Sequence, residues 1–286
     1  MEWRECAPET LATERHRREA AGAVAARAAP EMELEVRIEI AGVPALKCVP
    51  KVCRSSVPHV FVHGGGWVFG SSIQSLGLIR RIAWQTARPV ISLDYALAPE
   101  NPYPRAIEEV SAAMTALVES DGVAGIIGGS AGAQIALHAV SRTIGSGLYG
   151  AVLFCGAFGH TTQTWSHRVF GQGPKQGHRK GQGPGQGQLS THDMQHFLNA
   201  YAMPVGPPFP DPSNLPPLFL SVGDLDPLLE DTLQLHAAVQ QGNGSNLEIV
   251  PNAGHGFMNN WHIIPRIDNA VTDALDWLER RCAASI

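Results

Sequence analysis

The chain has 286 residues, 44% hydrophobic and only 16% charged, enough apolar material for one large α/β domain with a substantial core. A formal charge of -5, with no Lys/Arg stripe interleaved with aromatics, argues against nucleic acid and points to a small neutral molecule as partner. No apolar window reaches the roughly 18 residues that span a bilayer, so no membrane segment is expected.

Residues 1–30 carry charges throughout and lack the apolar core and cleavage site of a secretory signal, which predicts a helix over 9–27 in a soluble, cytoplasmic protein. Short apolar runs follow at 34–40 (LEVRIEI), 59–62 (HVFV), 89–94 (PVISLD), 122–127 (GVAGII), 150–154 (GAVLF), 216–222 (PPLFLSV) and 246–250 (NLEIV). From the third run onward they are continuously apolar rather than alternating, as in strands buried on both faces of a parallel sheet. Helical spacing fills the gaps near 72–87, 104–119, 131–144, 227–241 and 265–281. This alternation predicts an open, mostly parallel sheet with helices on both faces.

Residues 159–217 carry few strand signals. Within them, 171–188 is an imperfect duplication of Gly, Gln and Pro, a composition that buries too little apolar surface to offset chain entropy and so predicts a loop. Helix-like spacing resumes in LSTHDMQHFLNAYAMP, after 188. The expected organisation is a core of 31–158 and 218–286, with a small helical cap built from 1–30 and 159–217. Five cysteines at irregular spacings, Cys6, Cys48, Cys53, Cys155 and Cys282, indicate neither a disulfide framework nor a metal site.

The chemistry concentrates where strands end. Between the fourth run and its helix lies Gly128-Gly129-Ser130-Ala131-Gly132, a G-x-S-x-G turn in strand-turn-helix context. Such a turn brings strand and helix so close that side chains at the outer glycines would clash, and it projects the Ser130 hydroxyl above the sheet. A dinucleotide-binding turn is the rival, but Ser130 and Ala133 stand where its second and third glycines belong.

A nucleophilic serine requires a base, an orienting acid and donors for an oxyanion. The donors are expected from Gly64, Gly65 and Gly66, which follow His63 at the end of the second run, and from the Ala131 N–H. Asp226 precedes Pro227 at a loop-to-helix boundary and is the expected acid, with Asp224 reading as a turn residue. Of twelve histidines, His255 lies in a glycine-flanked loop directly after a strand and downstream of the acid, making it the expected base. Trp67 either lines the substrate pocket or packs beneath it.

HGGGW at 63–67, DYALAPENPYP at 94–104, GGSAG at 128–132, DPL at 226–228 and HGF at 255–257 together resemble the bacterial hormone-sensitive-lipase family of α/β-hydrolase carboxylesterases. The resemblance implies an eight-stranded, mostly parallel sheet with a cap, no metal or organic cofactor, and hydrolysis of short- to medium-chain esters. It assigns nucleophile, acid and base to Ser130, Asp226 and His255, and leaves a homodimer open. Two departures are Gly129, where the family usually has Asp, and Ala133, where it has Gly. The alternatives are an amidase or arylformamidase on the same scaffold and a non-catalytic ligand-binding protein resembling the gibberellin receptors. The receptors lack the triad histidine that His255 supplies here.

Overall fold

In the computed structural model, which describes residues 8–143, 147–159, 161–172, 189–204, 210–240 and 245–284, the apolar runs become strands of one sheet. In chain order these are β1 (Met32–Ile40), β2 (Val43–Pro50), β3 (His59–Val62), β4 (Val90–Leu93), β5 (Gly125–Gly129), β6 (Gly150–Phe154), β7 (Leu218–Gly223) and β8 (Ser245–Val250). Their spatial order is β1-β2-β4-β3-β5-β6-β7-β8. Only the pairings of β2 with β1 and with β4 are antiparallel; every pairing from β4 to β8 is parallel.

Strand β2 is not among the expected runs, because Pro44, Lys47 and Pro50 break its apolar pattern. Its formation depends on the turn before it. Ala41 and Gly42 both adopt positive φ, 51° and 82°, the geometry that folds one strand directly back on another. β1, an outer strand, is largely exposed and carries Glu33, Glu35, Arg37 and Glu39, charges that discourage pairing with another chain.

The helices are α1 (Pro8–Ala25), α2 (Leu76–Thr86), α3 (Arg105–Ser120), α4 (Ala131–Arg142), α5 (Trp165–Phe170), α6 (Thr191–Tyr201), α7 (Leu229–Val239) and α8 (Pro265–Ala283). Successive residues of the central strands alternate between two cores. Val60, Ile126 and Leu153 pack with α3, α4 and α7 on one face, whereas Phe61, Ile127 and Val152 pack with α2 and α8 on the other. The parallel strands therefore read as continuous apolar runs because both faces are covered.

Helix α1 closes onto the residues just before α2 at Gly22, where an added Cβ would lie 2.4 Å from the Gln74 carbonyl oxygen. Arg15 fastens the same helix further along, donating to the carbonyls of Val68 and Ala98 and pairing with Glu100 at 2.8 Å. The six-residue α5 is not expected from the sequence, because one and a half turns are too short to show a period; Thr164 caps it by accepting from the His167 N–H. In α6, Ser190 and Asp193 form a reciprocal capping box. The duplicated stretch expected as a loop lies outside the described residues except for Gly171 and Gln172.

Candidate active site

Strand β5 ends at Gly129 and α4 begins at Ala131, leaving Ser130 alone at the turn with φ 55° and ψ -123°. That conformation is strained for a residue with a side chain. The neighbouring glycines make the turn feasible. A Cβ on Gly128 would lie 2.7 Å from the Gly132 carbonyl oxygen, and one on Gly132 would lie 2.2 Å from that of Val62. At Gly129 a Cβ would meet only the Met258 side chain, its methyl at 2.4 Å, so a flexible thioether occupies the space a side chain there would enter. Because Ala131 is the first residue of α4, its N–H has no acceptor within the helix.

The three residues picked from distant parts of the sequence meet at this turn. The Ser130 Oγ lies 2.9 Å from Nε2 of His255, and His255 Nδ1 lies 3.1 Å from both carboxylate oxygens of Asp226. With its proton on Nδ1, the imidazole donates to Asp226 and accepts from Ser130. Asp226 is fully buried, and its Oδ1 also accepts from the Leu228 N–H at 2.8 Å. Asp224 serves the loop instead of the imidazole. Its carboxylate accepts from the Ala253 N–H at 3.2 Å, tying the histidine loop to the end of β7. Behind the imidazole, burial pushes the Cys155 thiol far above its ordinary pKa, so it stays neutral.

A second acid, Asp231, is buried five residues beyond Asp226. Its Oδ2 accepts from the Gly159 N–H at 2.8 Å, while Oδ1 has no hydrogen-bond partner among the described residues. Burial, with smaller contributions from the Asp226 and Glu230 charges, raises its pKa from 3.8 to about 7. An acid with a raised folded pKa contributes stability that is complete below its unfolded pKa and lost as pH rises through the folded value. The wild type should therefore lose stability between about pH 4 and pH 7 relative to Asp231→Asn, by up to about 4 kcal/mol. Melting temperatures of the two proteins across that range check this; parallel curves would refute it.

The glycine loop runs beside Ser130. A Cβ on Gly64 would lie 2.7 Å from the Gly129 carbonyl oxygen and 3.2 Å from Ser130 Cβ. Gly65 has φ 129° and its carbonyl accepts from the Phe69 N–H, so a side chain there would strike the Phe69 carbonyl at 2.2 Å. Gly66, at φ 61°, faces the Phe197 ring of α6, 2.5 Å from where its Cβ would be. His63 anchors the loop: it is buried, stacks on Tyr95 at 4.3 Å and donates from Nδ1 to the Gly64 carbonyl. Burial lowers its pKa and keeps it neutral. The Tyr95 hydroxyl in turn donates to the His63 carbonyl at 2.8 Å.

The carboxylates of the stretch after β4 brace this loop from outside. Asp94 accepts from the main-chain N–H and hydroxyl of Ser72, while Glu100 holds Arg15, whose guanidinium reaches Val68. Trp67 borders the cleft, but its indole is fully buried, stacked on Tyr201 at 4.9 Å and donating to Gln134 Oε1 at 3.1 Å. The ring thus packs in the core beneath the cleft.

The cleft has a volume of about 720 Å³. Beside Ser130, His255, Ala131 and the three glycines it is bordered by Arg18 and Gly22 of α1, Met194 and Phe197 of α6, and by Met258 and Trp261. None of these six stands out in the sequence. Helix-like spacing is legible in α6, and α1 reads only as a charged helix; neither pattern says which body the helix meets. Among the described residues, no helix is long and apolar enough to cross a membrane.

A family described as alpha/beta hydrolase fold matches residues 59–259. Among curated proteins, the acetyl esterase of Salmonella choleraesuis is 28% identical over 238 residues, covering 74% of this chain and 69% of that protein. The carboxylesterase NlhH of Mycobacterium tuberculosis is 26% identical over 278 residues, covering 88% and 85%. Among solved structures, a hyperthermophilic esterase from Pyrobaculum calidifontis superposes with a TM-score of 0.82 at 24% identity, covering 94% of this chain and 93% of that one. An esterase of the bacterial hormone-sensitive lipase family gives 0.81 at 22% identity, covering 97% and 94%.

Proposed function

The chain belongs to the alpha/beta hydrolase fold family, and from that premise we propose that it is a serine carboxylesterase of the hormone-sensitive-lipase branch, acting on short- to medium-chain acyl esters through an acyl-enzyme. The observation that carries the reading is the unbroken contact from Ser130 Oγ to His255 Nε2 at 2.9 Å and from His255 Nδ1 to Asp226 at 3.1 Å. The esterases among its relatives support the same reading.

Ser130 attacks the ester carbonyl carbon while His255 Nε2 takes the hydroxyl proton, and buried Asp226 stabilises the imidazolium that forms. The carbonyl oxygen becomes an oxyanion facing the glycine loop, where main-chain N–H groups of Gly64, Gly65, Gly66 and Ala131 are the proposed donors. Each such donor is typically worth about 3 kcal/mol of transition-state stabilisation. His255 then returns its proton to the leaving alcohol, and water activated by the same imidazole releases the acid. The side chains present supply every proton transfer.

A cleft of about 720 Å³ accommodates a small-molecule ester. Residues 1–30 and 159–217 are proposed to form the cap, since α1 and α6 border the cleft from widely separated parts of the sequence. A panel of p-nitrophenyl esters graded by acyl length should give its highest kcat/KM at short to medium chains. Faster cleavage of matched N-formyl aryl amides would overturn this assignment in favour of an amidase.

A further inference from the structure

We propose that Ser166, in the first turn of α5, is a positioning residue for the triad acid, its hydroxyl joining the 159–217 segment to the loop that carries Asp226. The inference rests on the serine-esterase reading. Ser166 is fully buried and its hydroxyl has one proton to give. It donates to the Pro227 carbonyl at 2.7 Å and accepts from the Glu230 N–H at 3.3 Å, with Thr164 Oγ1 at 3.2 Å beside it. Pro227 directly follows Asp226, so the acceptor lies one peptide from the acid.

Two further bonds reinforce the join. The Glu230 carboxylate accepts from the Trp165 N–H at 2.7 Å, and Asp231 accepts from the Gly159 N–H at 2.8 Å. Donors and acceptors alternate between the two segments, so neither moves without breaking bonds in the other. Within its own loop Asp226 is held by local contacts: its Oδ1 takes the Leu228 N–H, and its carbonyl takes the Leu229 N–H. Those contacts fix the carboxylate relative to the start of α7, while Asp224 and the Leu225 N–H tie the residues just before it to Ala253 in the histidine loop. Ser166 adds the tie on the other side of the acid, anchoring Pro227 and Glu230 to α5.

Truncation to alanine takes a partner from a buried carbonyl and from a part-buried N–H, and the carbonyl in particular needs a replacement. The loop must shift to satisfy them, and the carboxylate shifts with it. Such a displacement acts on the proton transfer, not on substrate uptake. A purely structural Ser166 would lower stability without separating kcat from KM.

The test uses the full-length protein and p-nitrophenyl butyrate. Ser166→Ala should lower kcat about tenfold while KM stays within about twofold. The downfield Nδ1 proton resonance of His255 should shift or broaden, and Ser166→Thr, which keeps the hydroxyl, should restore most of kcat. If Ser166→Ala does not fold, Glu230→Ala carries the test: it removes the exposed bond to the Trp165 N–H and should give the same split with a smaller loss, about threefold. An unchanged kcat and an unchanged downfield resonance in the folded variant would overturn the proposal. So would an equal kcat loss in Thr162→Ala, whose hydroxyl bonds Gln195 within the same segment. An inactive wild type would overturn the esterase reading itself, whereas an active wild type indifferent to Ser166→Ala overturns only the positioning role.

Discussion

Replacing Ser130 by alanine is expected to lower kcat on p-nitrophenyl butyrate by about 10⁶-fold, the scale at which loss of a triad nucleophile removes the covalent route altogether. The substitution deletes the Oγ that lies 2.9 Å from His255 and little else. Alanine at φ 55° is as strained as serine, and the flanking glycines that permit the turn remain. The fold should therefore persist, with a stability change within about 1 kcal/mol for one hydrogen bond. Two measurements check the result: steady-state hydrolysis, and labelling by a fluorophosphonate, stoichiometric in the wild type and absent in the variant. Undiminished turnover, or continued labelling of the variant, would remove Ser130 from its proposed role.

Asp226→Asn should lower kcat about 10⁴-fold with little change in KM. The carboxylate receives the Nδ1 proton of His255 through two oxygens at equal distance, 3.1 Å, and so fixes the tautomer that leaves Nε2 free to accept from Ser130. An asparagine of the same shape can turn its NH2 toward Nδ1, which drives the proton to Nε2 and closes the route from the hydroxyl. Its amide oxygen can still accept from Leu228 N–H, so the loop should hold its conformation. Asp224→Asn is the control: its carboxylate bonds Ala253 N–H and does not contact the imidazole, so a kcat within about fivefold of wild type is expected. A loss below tenfold for Asp226→Asn, or an equal loss for Asp224→Asn, would mean that the acid has been misassigned.

The two acids mark how far local sequence reaches. Asp226 is preferred over Asp224 because Pro227 marks the start of a helix, a local argument that needs only backbone preferences. That Asp224 ties the histidine loop to β7 is not legible, since it depends on Ala253, twenty-nine residues away. The same contrast holds for strands. β3 and β6 are readable to the residue, because each is a short run, apolar but for His59, whose residues are all buried. β2 is not, because its stability comes from a tight turn and from pairing on both edges, while its own residues alternate around prolines and a lysine.

The glycine loop illustrates the boundary within a single motif. Three consecutive glycines signal close approach of main chain, and added Cβ atoms would indeed strike Gly129, Phe69 and Phe197. The next residue, Trp67, is ambiguous in the sequence because an indole serves equally well as pocket wall or as core. Its positive φ of 61° and its stacking on Tyr201 place the ring in the core, and Tyr201 comes from a helix 134 residues further along.

By itself, the sequence determined the mostly parallel sheet, the strained serine turn and the glycine loop. Each of these follows from residues within about ten positions of one another or from the short-range geometry of glycine and proline. The tertiary structure alone decided that Met258 fills the space beside Gly129, that α1 and α6 border one cleft, and that Ser166 bonds the loop bearing Asp226. Those contacts join segments far apart along the chain. Local propensity cannot specify them, because they exist only once the sheet order has brought the segments together and packing has chosen which faces meet.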